Sequence, residues 1–278
     1  MKKIKVCYSE TQNLGDLLNK LVIEDVIGYS IVHSDSLRCQ STGIGSGLPR
    51  FFIPESQLKK SPKSIARRVL GRVVPPVQIW SAGFIRYSND PEYSLRRVNV
   101  ASVRGEITRS RLEKILNRKL DVPTGDGGLL ASLLLKKQPE KKYQVGIIPH
   151  MREKGEARII ELTEKYQRSV LIDITADPLD VLKTISQCEF ILSSSLHGLI
   201  VADSFGIPNK RLVYTNNLVG DGYKFDDYYS SFNVKSNSAS YKEGEFPTIN
   251  SIIDDYLISK KQVEKKQEEI IASFSRFL

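Results

Sequence analysis

The chain has little cysteine, and what it has is not arranged for chemistry. Its 278 residues include three cysteines. Cys7, Cys39 and Cys188 are far apart and odd in number, and no two stand at CxxC spacing. Neither a disulfide framework nor a zinc site is indicated. Cys7 and Cys188 lie in or beside apolar runs and read as buried thiols of a reducing compartment. No apolar stretch approaches the roughly 20 residues that a membrane span requires. The opening Met1-Lys2-Lys3 precedes a strand-like run too short for a signal-peptide core, so a cytoplasmic location is expected. No aromatic-interleaved basic array marks a nucleic-acid module, and no nucleic-acid partner is expected. No GxGxxG motif calls for a dinucleotide.

What is present is an ordinary globular composition. Hydrophobic residues make up 40% and charged residues 26%, which excludes a disordered or collagen-like chain. At about 150 residues per domain, the length suggests roughly two domains. Lys and Arg number 41 against 32 Asp and Glu, a net charge of +9. That balance favours an anionic partner without naming it: a phosphorylated metabolite and an acidic membrane both qualify.

Short β-branched runs alternate with longer helical ones, the pattern of an α/β fold with parallel sheets. In the first half, strands are expected at 3–8, 31–33, 42–45, 77–80 and 98–103, with helices at 16–27, 106–116 and 129–135. The lysine-rich stretch 136–142 reads as a linker. A second series follows: strands at 143–148, 170–174, 190–192 and 211–214, with helices near 156–166, 178–186 and 196–205. The expected organisation is an N-terminal lobe over 1–137, a second lobe over 143–250 and a helical segment over 251–278. Within that last segment, 260–269 carries charge nearly all round and suggests a solvated face. In such folds ligands sit beyond the carboxyl ends of the strands.

The sharpest signal is Ser193-Ser194-Ser195-Leu196-His197-Gly198, where an apolar strand gives way to an apolar helix. Free backbone N–H groups at a helix start, with hydroxyls beside them, suit a phosphate or carboxylate. His197 would lie next to the anion. A second signal, Asn13-Leu14-Gly15-Asp16 with Asn19 beyond it, joins the first strand to the first helix. Asp16 is placed to cap that helix, and Gly15 lets the backbone approach a ligand closely. Ser81 and Gly83, Arg104, and His150 with Arg152 each follow an expected strand and fit the same geometry. His33 is assigned to structure.

Four motifs in this order, Asn13-Leu14-Gly15-Asp16, Ser102-Val103-Arg104-Gly105, Gly125-Asp126-Gly127-Gly128 and Ser195-Leu196-His197-Gly198, resemble the polysaccharide pyruvyl transferase family. Ile79-Trp80-Ser81-Ala82-Gly83-Phe84 and Lys224-Phe225-Asp226-Asp227-Tyr228-Tyr229 strengthen the likeness, which extends over roughly residues 4–235. The resemblance implies two Rossmann-like lobes of glycosyltransferase-B type. It also implies transfer of a pyruvyl group from phosphoenolpyruvate, as co-substrate, to sugar hydroxyls, with no further cofactor and no metal. On this basis His197 is the expected acid/base. Arg152, Arg104, Ser194, Ser195, Leu196 and His150 are expected at the donor, and Asn13, Gly15, Asp16, Asn19, Ser81, Gly83, Asp126 and Lys224 at the acceptor or in the cleft. One departure stands out: relatives tend to carry Arg immediately before the Leu-His pair, in contact with the donor, where this chain has Ser195. Either Arg152 or Arg104 supplies the cation, or the donor is held differently, or the activity has drifted.

Two other readings compete. A glycosyltransferase using a nucleotide sugar would share the architecture, although no second-lobe carboxylate pair has the spacing of a sugar- and ribose-binding motif. A degenerate member that binds glycan is favoured by Ser195. Separately, the segment from Ser56 to Asn89 holds Lys59, Lys60, Lys63, Arg67, Arg68, Arg72 and Arg86 and no acidic residue. Its 64–70 portion suggests a short amphipathic helix, read either as an ordinary basic surface or as a peripheral contact with an anionic membrane. The second reading suits an acceptor sugar carried on a membrane lipid.

Overall fold

The computed structural model of the chain describes residues 1–57, 62–213, 222–236, 238–240 and 246–277. Strand β1 (Lys2–Cys7) buries Ile4 and Val6, the period of two that a strand imposes. Helix α1 (Leu14–Leu21) follows. Its cap is Asn13 rather than the expected Asp16. Asn13 has the extended backbone that a cap requires, and its side chain accepts from Gly15 N at 3.1 Å. Asp16 is instead the third residue of the helix, within its first turn, where the Thr11 hydroxyl donates to it. The helix runs on as a π-helical turn, Val22–Ile27, and stops at Gly28, whose φ of 87° lies in the left-handed region.

The first lobe continues through β2 (Tyr29–His33), β3 (Ser41–Thr42), β4 (Phe52–Pro54), α2 (Pro62–Val73), β5 (Val77–Ile79), β6 (Glu92–Ser94), β7 (Val98–Val100) and α3 (Glu106–Leu116). Five strands form a sheet in the order β2-β1-β3-β5-β7, parallel throughout. Single bridges carry it further, through Gly45–Ala82, Ala82–Val103 and Val103–Thr124. The helix expected at 129–135 is a 3-10 segment, Gly127–Leu134. Two glycines open it, and glycine disfavours the α-helix. Strands β4 and β6 pair antiparallel outside the main sheet.

The second lobe comprises β8 (Tyr143–Ile148), α4 (Ala157–Lys165), β9 (Val170–Leu171), α5 (Pro178–Ser186), β10 (Cys188–Ser193), α6 (Leu196–Ser204), β11 (Asn209–Val213), α7 (Tyr223–Ser230), β12 (Ser238–Ser240), α8 (Ile249–Asp255) and α9 (Lys260–Phe274). Its sheet runs β12-β11-β10-β8-β9, again parallel. Tyr214, expected to end a strand, lies outside the described residues. The fold is α/β with two Rossmann-like lobes. One apolar core joins them, from Ile4, Leu14 and Leu18 to Leu199, Ile200 and Phe225.

The segment after 250 differs from expectation. It is two helices, divided at Ser259, which caps α9 in a reciprocal arrangement with Gln262. Helix α9 is not a solvated rod. Val263, Gln267, Ile270 and Phe274 form a buried stripe that returns to the first lobe. Trp80 Nε1 donates to Ile270 O at 3.0 Å, Gln78 Nε2 to Phe274 O at 2.7 Å and Lys266 Nζ to Thr124 O at 2.7 Å. The rings of Trp80 and Phe274 meet edge to face, 4.9 Å apart. Such a narrow stripe is easily hidden by the lysines and glutamates around it.

Candidate active site

The carboxyl ends of β1, β3 and β5 face those of β8 and β10 across a cleft of about 380 Å³. From the first lobe its wall takes Cys7, Tyr8, Ser9, Asn13, Asp16, the loop from Gly43 to Gly47, Arg50 and Ile85. The second lobe supplies His150, Ser195, Leu196, His197 and Lys224.

His197 stands at the junction. It lies in the first turn of α6, and its ring is wedged against the backbone at the start of α1. A Cβ on residue 15 would lie 2.1 Å from His197 Nδ1. Glycine is therefore needed at position 15 for the ring to occupy its place. On the other side Asp126 Oδ1 stands 3.9 Å from His197 Nε2. His197 Nε2 and Asp126 Oδ2 are both buried with no hydrogen-bond partner among the described residues. Burial drives the imidazole down to about 4, against the opposing pull of Asp16 and with help from Lys224 and Arg104. The same burial drives the Asp126 carboxyl up to about 6, opposed by Arg104 and by the bond from Gly128 N. Around neutrality the imidazole is therefore uncharged.

Cationic groups surround this pair. The Lys224 ammonium lines the cleft and makes no hydrogen bond or ion pair with a described residue. Burial, with repulsion from Arg104 and Arg211, lowers it to about 8. Arg50 lies opposite, its Nη2 donating to Ser9 Oγ at 2.8 Å. At the start of α6, Ser195 occupies the cap position, but its hydroxyl makes no capping bond. The first N–H groups of the helix, at Leu196 and His197, therefore have no intrahelical partner and border the cleft. A helix N-terminus, an ammonium unpaired among the described residues and a guanidinium thus line the same cleft as the imidazole. This arrangement fits a small, multiply charged anion that undergoes proton transfer.

Of the residues singled out in the sequence, Asn13, Asp16, His150, Ser195, Leu196, His197 and Lys224 line the cleft. Several others lie beneath it. Arg104 is entirely buried; its Nε donates to Asp227 Oδ2 at 2.8 Å, its Nη1 to Ser46 Oγ at 2.8 Å and its Nη2 to Phe84 O at 2.5 Å. It passes over Gly83, where a Cβ would lie 2.4 Å from the guanidinium carbon. The expected donor contact thus gives way to an internal clamp. Asn19 is spent on the backbone, accepting from Ile44 N at 2.7 Å and donating to Gly15 O. Ser81 donates to Gly125 O. Ser194 donates to Glu153 and accepts from His150 N, which ties the 150–153 loop to the start of α6. Arg152 is exposed and outside the wall. His150 is in the wall, lowered to about 4 by burial and by the charges of Lys224 and Arg152.

Arg50, Ser46 and Cys7 were not anticipated. The signal for the first two was available: Ser46 directly follows the strand expected at 42–45 within the glycine-rich run Gly43-Ile44-Gly45-Ser46-Gly47, and Arg50 stands three residues after that run. The Cys7 thiol, lowered to about 7 by its hydrogen bond with Cys39 and by nearby Arg50, had no local signal.

The sequence and the fold were compared with known proteins. The family model described as polysaccharide pyruvyl transferase matches residues 75–216. An uncharacterized protein of Acanthamoeba polyphaga mimivirus is 33% identical over 178 residues, 58% of this chain and 61% of that one. The succinoglycan biosynthesis protein ExoV of Rhizobium meliloti is 26% identical over 243 residues, 83% of this chain and 66% of that one. The chain thus spans just under two thirds of the length of both relatives. A crystal structure of an uncharacterized Klebsiella pneumoniae protein superposes with a TM-score of 0.48 at 14% identity, covering 87% of this chain and 93% of the other.

Proposed function

The chain belongs to the polysaccharide pyruvyl transferase family, and from that premise we propose that it transfers a pyruvyl group from phosphoenolpyruvate to sugar hydroxyls of a polysaccharide or its lipid-linked precursor. The observation that carries the reading is that Lys224, without a hydrogen bond or ion pair among the described residues, shares one cleft wall with the α6 N-terminus, Arg50 and His197.

In the proposed reaction the phosphate and carboxylate of the donor are held by the N–H groups at Leu196 and His197, by Lys224 and by Arg50. A proton is added to the C3 methylene, which becomes a methyl group, and positive charge develops at C2. A sugar hydroxyl attacks C2 and gives up its proton. The C2–O bond to phosphate breaks, inorganic phosphate leaves, and a second hydroxyl closes the ketal with loss of its proton. The donor's negative charge beside the ring raises the proton affinity of His197, so that imidazole and Asp126 carboxyl exchange a proton near neutrality. Cations around the leaving phosphate stabilise the charge that develops there. In this reading Lys224 and Arg50 do the work of the arginine that Ser195 replaces.

Phosphoenolpyruvate should raise the melting temperature, because a ligand that binds only the native state stabilises it by mass action. The shift should be steady below about pH 8 and fade above it, since Lys224, lowered to about 8, loses its proton there. The measurement is thermal unfolding with and without donor across pH, together with phosphate release when an acceptor glycan is supplied. Stabilisation by a nucleotide sugar and none by phosphoenolpyruvate would favour the glycosyltransferase reading. Binding of glycan alone would favour a degenerate member.

Replacement of Lys224 by Met should weaken donor binding by roughly 30-fold or more, the usual result of removing one partner of a desolvated charge pair. KM for phosphoenolpyruvate should rise more than kcat falls. An unchanged KM would remove Lys224 from the donor site.

A further inference from the structure

Helix α2 is fixed to the protein by one face and turns the opposite face outward. Its anchor is Gly71, which is buried. A Cβ there would lie 1.9 Å from Leu95 O, so only glycine lets the helix backbone come this close to the β6–β7 connection. Gly71 O accepts from Arg97 N at 3.3 Å, and Arg97 Nη2 donates to Val74 O at 3.0 Å. At about 100° per residue, Pro62, Ala66, Val69 and Val73 fall opposite Gly71, with Ile65 beside them. Ile65, Val69, Leu70 and Val73 are exposed by 51%, 60%, 47% and 70%. Four large aliphatic side chains in the open on one short helix form a contiguous patch of the kind that marks an interaction surface.

The charge around the patch identifies the partner. Arg68 and Arg72 flank the apolar stripe on one side, and neither pairs with a described carboxylate. Lys63 and Arg67 belong to the same helix by sequence, and no acidic residue occurs from Ser56 to Asn89. Lys59 and Lys60 lie outside the described residues. A basic flank along an apolar stripe is complementary to a surface with phosphates over hydrocarbon. At 12 residues α2 would be roughly 18 Å long. No helix among the described residues is long and apolar enough to cross a membrane. The geometry therefore suits a helix lying flat in the interface.

We propose that α2 docks the protein reversibly on an anionic lipid bilayer. Ile65, Val69 and Val73 enter at the boundary between headgroups and acyl chains, and Arg68 and Arg72 reach the phosphates. This goes beyond the proposed reaction, since it concerns a surface built from a different element.

The test is co-sedimentation of the full chain with phosphatidylglycerol vesicles and with phosphatidylcholine vesicles at low and high salt. Binding to the anionic vesicles at low salt is expected, with loss at high salt as screening shortens the reach of the charges. Arg68→Gln with Arg72→Gln should lower the partition coefficient about 25-fold, fivefold or ~1 kcal/mol for each cation. Val69→Ser with Val73→Ser should lower it by roughly tenfold or more through lost apolar burial. Both double variants should keep the wild-type melting temperature and the stabilisation by phosphoenolpyruvate, because Val69, Arg72 and Val73 are exposed, Arg68 pairs with no described carboxylate, and none of the four lines the cleft. Equal binding to both vesicle types, wild-type binding by both variants, or no sedimentation at low salt would overturn the proposal. Capture by polyglutamate without vesicle binding would overturn it too, in favour of an acidic protein partner.

Discussion

Replacing His197 with Asn should lower pyruvyl transfer by about 10²–10⁴-fold, the range typical for removal of a general acid/base. Asparagine is smaller than the imidazole, so the change leaves room against Gly15, where the ring now packs. It also keeps a polar group beside Asp126, whose carboxyl would otherwise face an empty buried space. Melting temperature should therefore change little, and KM for phosphoenolpyruvate should change less than kcat, since the cations that hold the donor remain. The pH profile gives an independent check. A group lowered to about 4 by burial and raised by a bound anion should place one limb of the kcat profile above the corresponding limb of kcat/KM. In the Asn variant that limb should vanish. A variant with normal turnover and an unchanged profile would take His197 out of the chemistry and leave Asp126 or His150 to be tested.

The second large effect concerns stability. Arg104 and Asp227 form an ion pair with both side chains fully buried, and Arg104→Met should destabilise the fold by roughly 3–5 kcal/mol by leaving a charge without its partner. For a chain of this size that is a fall of about 10 °C in melting temperature. Asp227 is also the cap of α3 in trans. Its carboxylate accepts from Thr108 N and from Thr108 Oγ1, both at 2.7 Å, while Ser230 Oγ accepts from Glu106 N at 2.9 Å. These bonds fasten α7 to the first lobe, and Lys224 lies one turn before Asp227 on that helix. Arg104→Met should therefore also weaken donor binding without touching the donor. Changing Arg104 to Met and Asp227 to Leu together should cost less than the sum of the single changes, since neither charge is then left alone. Additive losses in that double-mutant cycle would show that the pair is not the clamp described.

Much of the lobe architecture could be read locally. Short β-branched runs alternating with amphipathic helices fix parallel α/β order, because strand and helix periods are set by neighbours in sequence. Asp177 and Pro178 marked the start of α5 correctly for the same reason: capping is a contact over two or three residues. The start of α6 and the place of His197 in its first turn were legible because a strand, a hydroxyl run and a helix follow one another directly.

What the sequence could not decide was which polar side chains the fold had already taken. Arg104, Asn19, Ser81 and Ser194 look like ligands from their motifs, yet each meets a partner between 20 and 123 residues away in the chain. Lys224 looks like one charge among many, but its place in the cleft wall follows from α7 being fastened to the first lobe through Asp227 and Arg104. The return of α9 to Trp80 was hidden in the same way, by a stripe of four residues among charges. Sequence by itself determined local conformation and the chemical types available, because those depend on interactions over a few residues. Only the tertiary structure decided which groups were left unpaired to meet a ligand, because pairing of buried polar groups is settled by contacts that the chain makes far from itself.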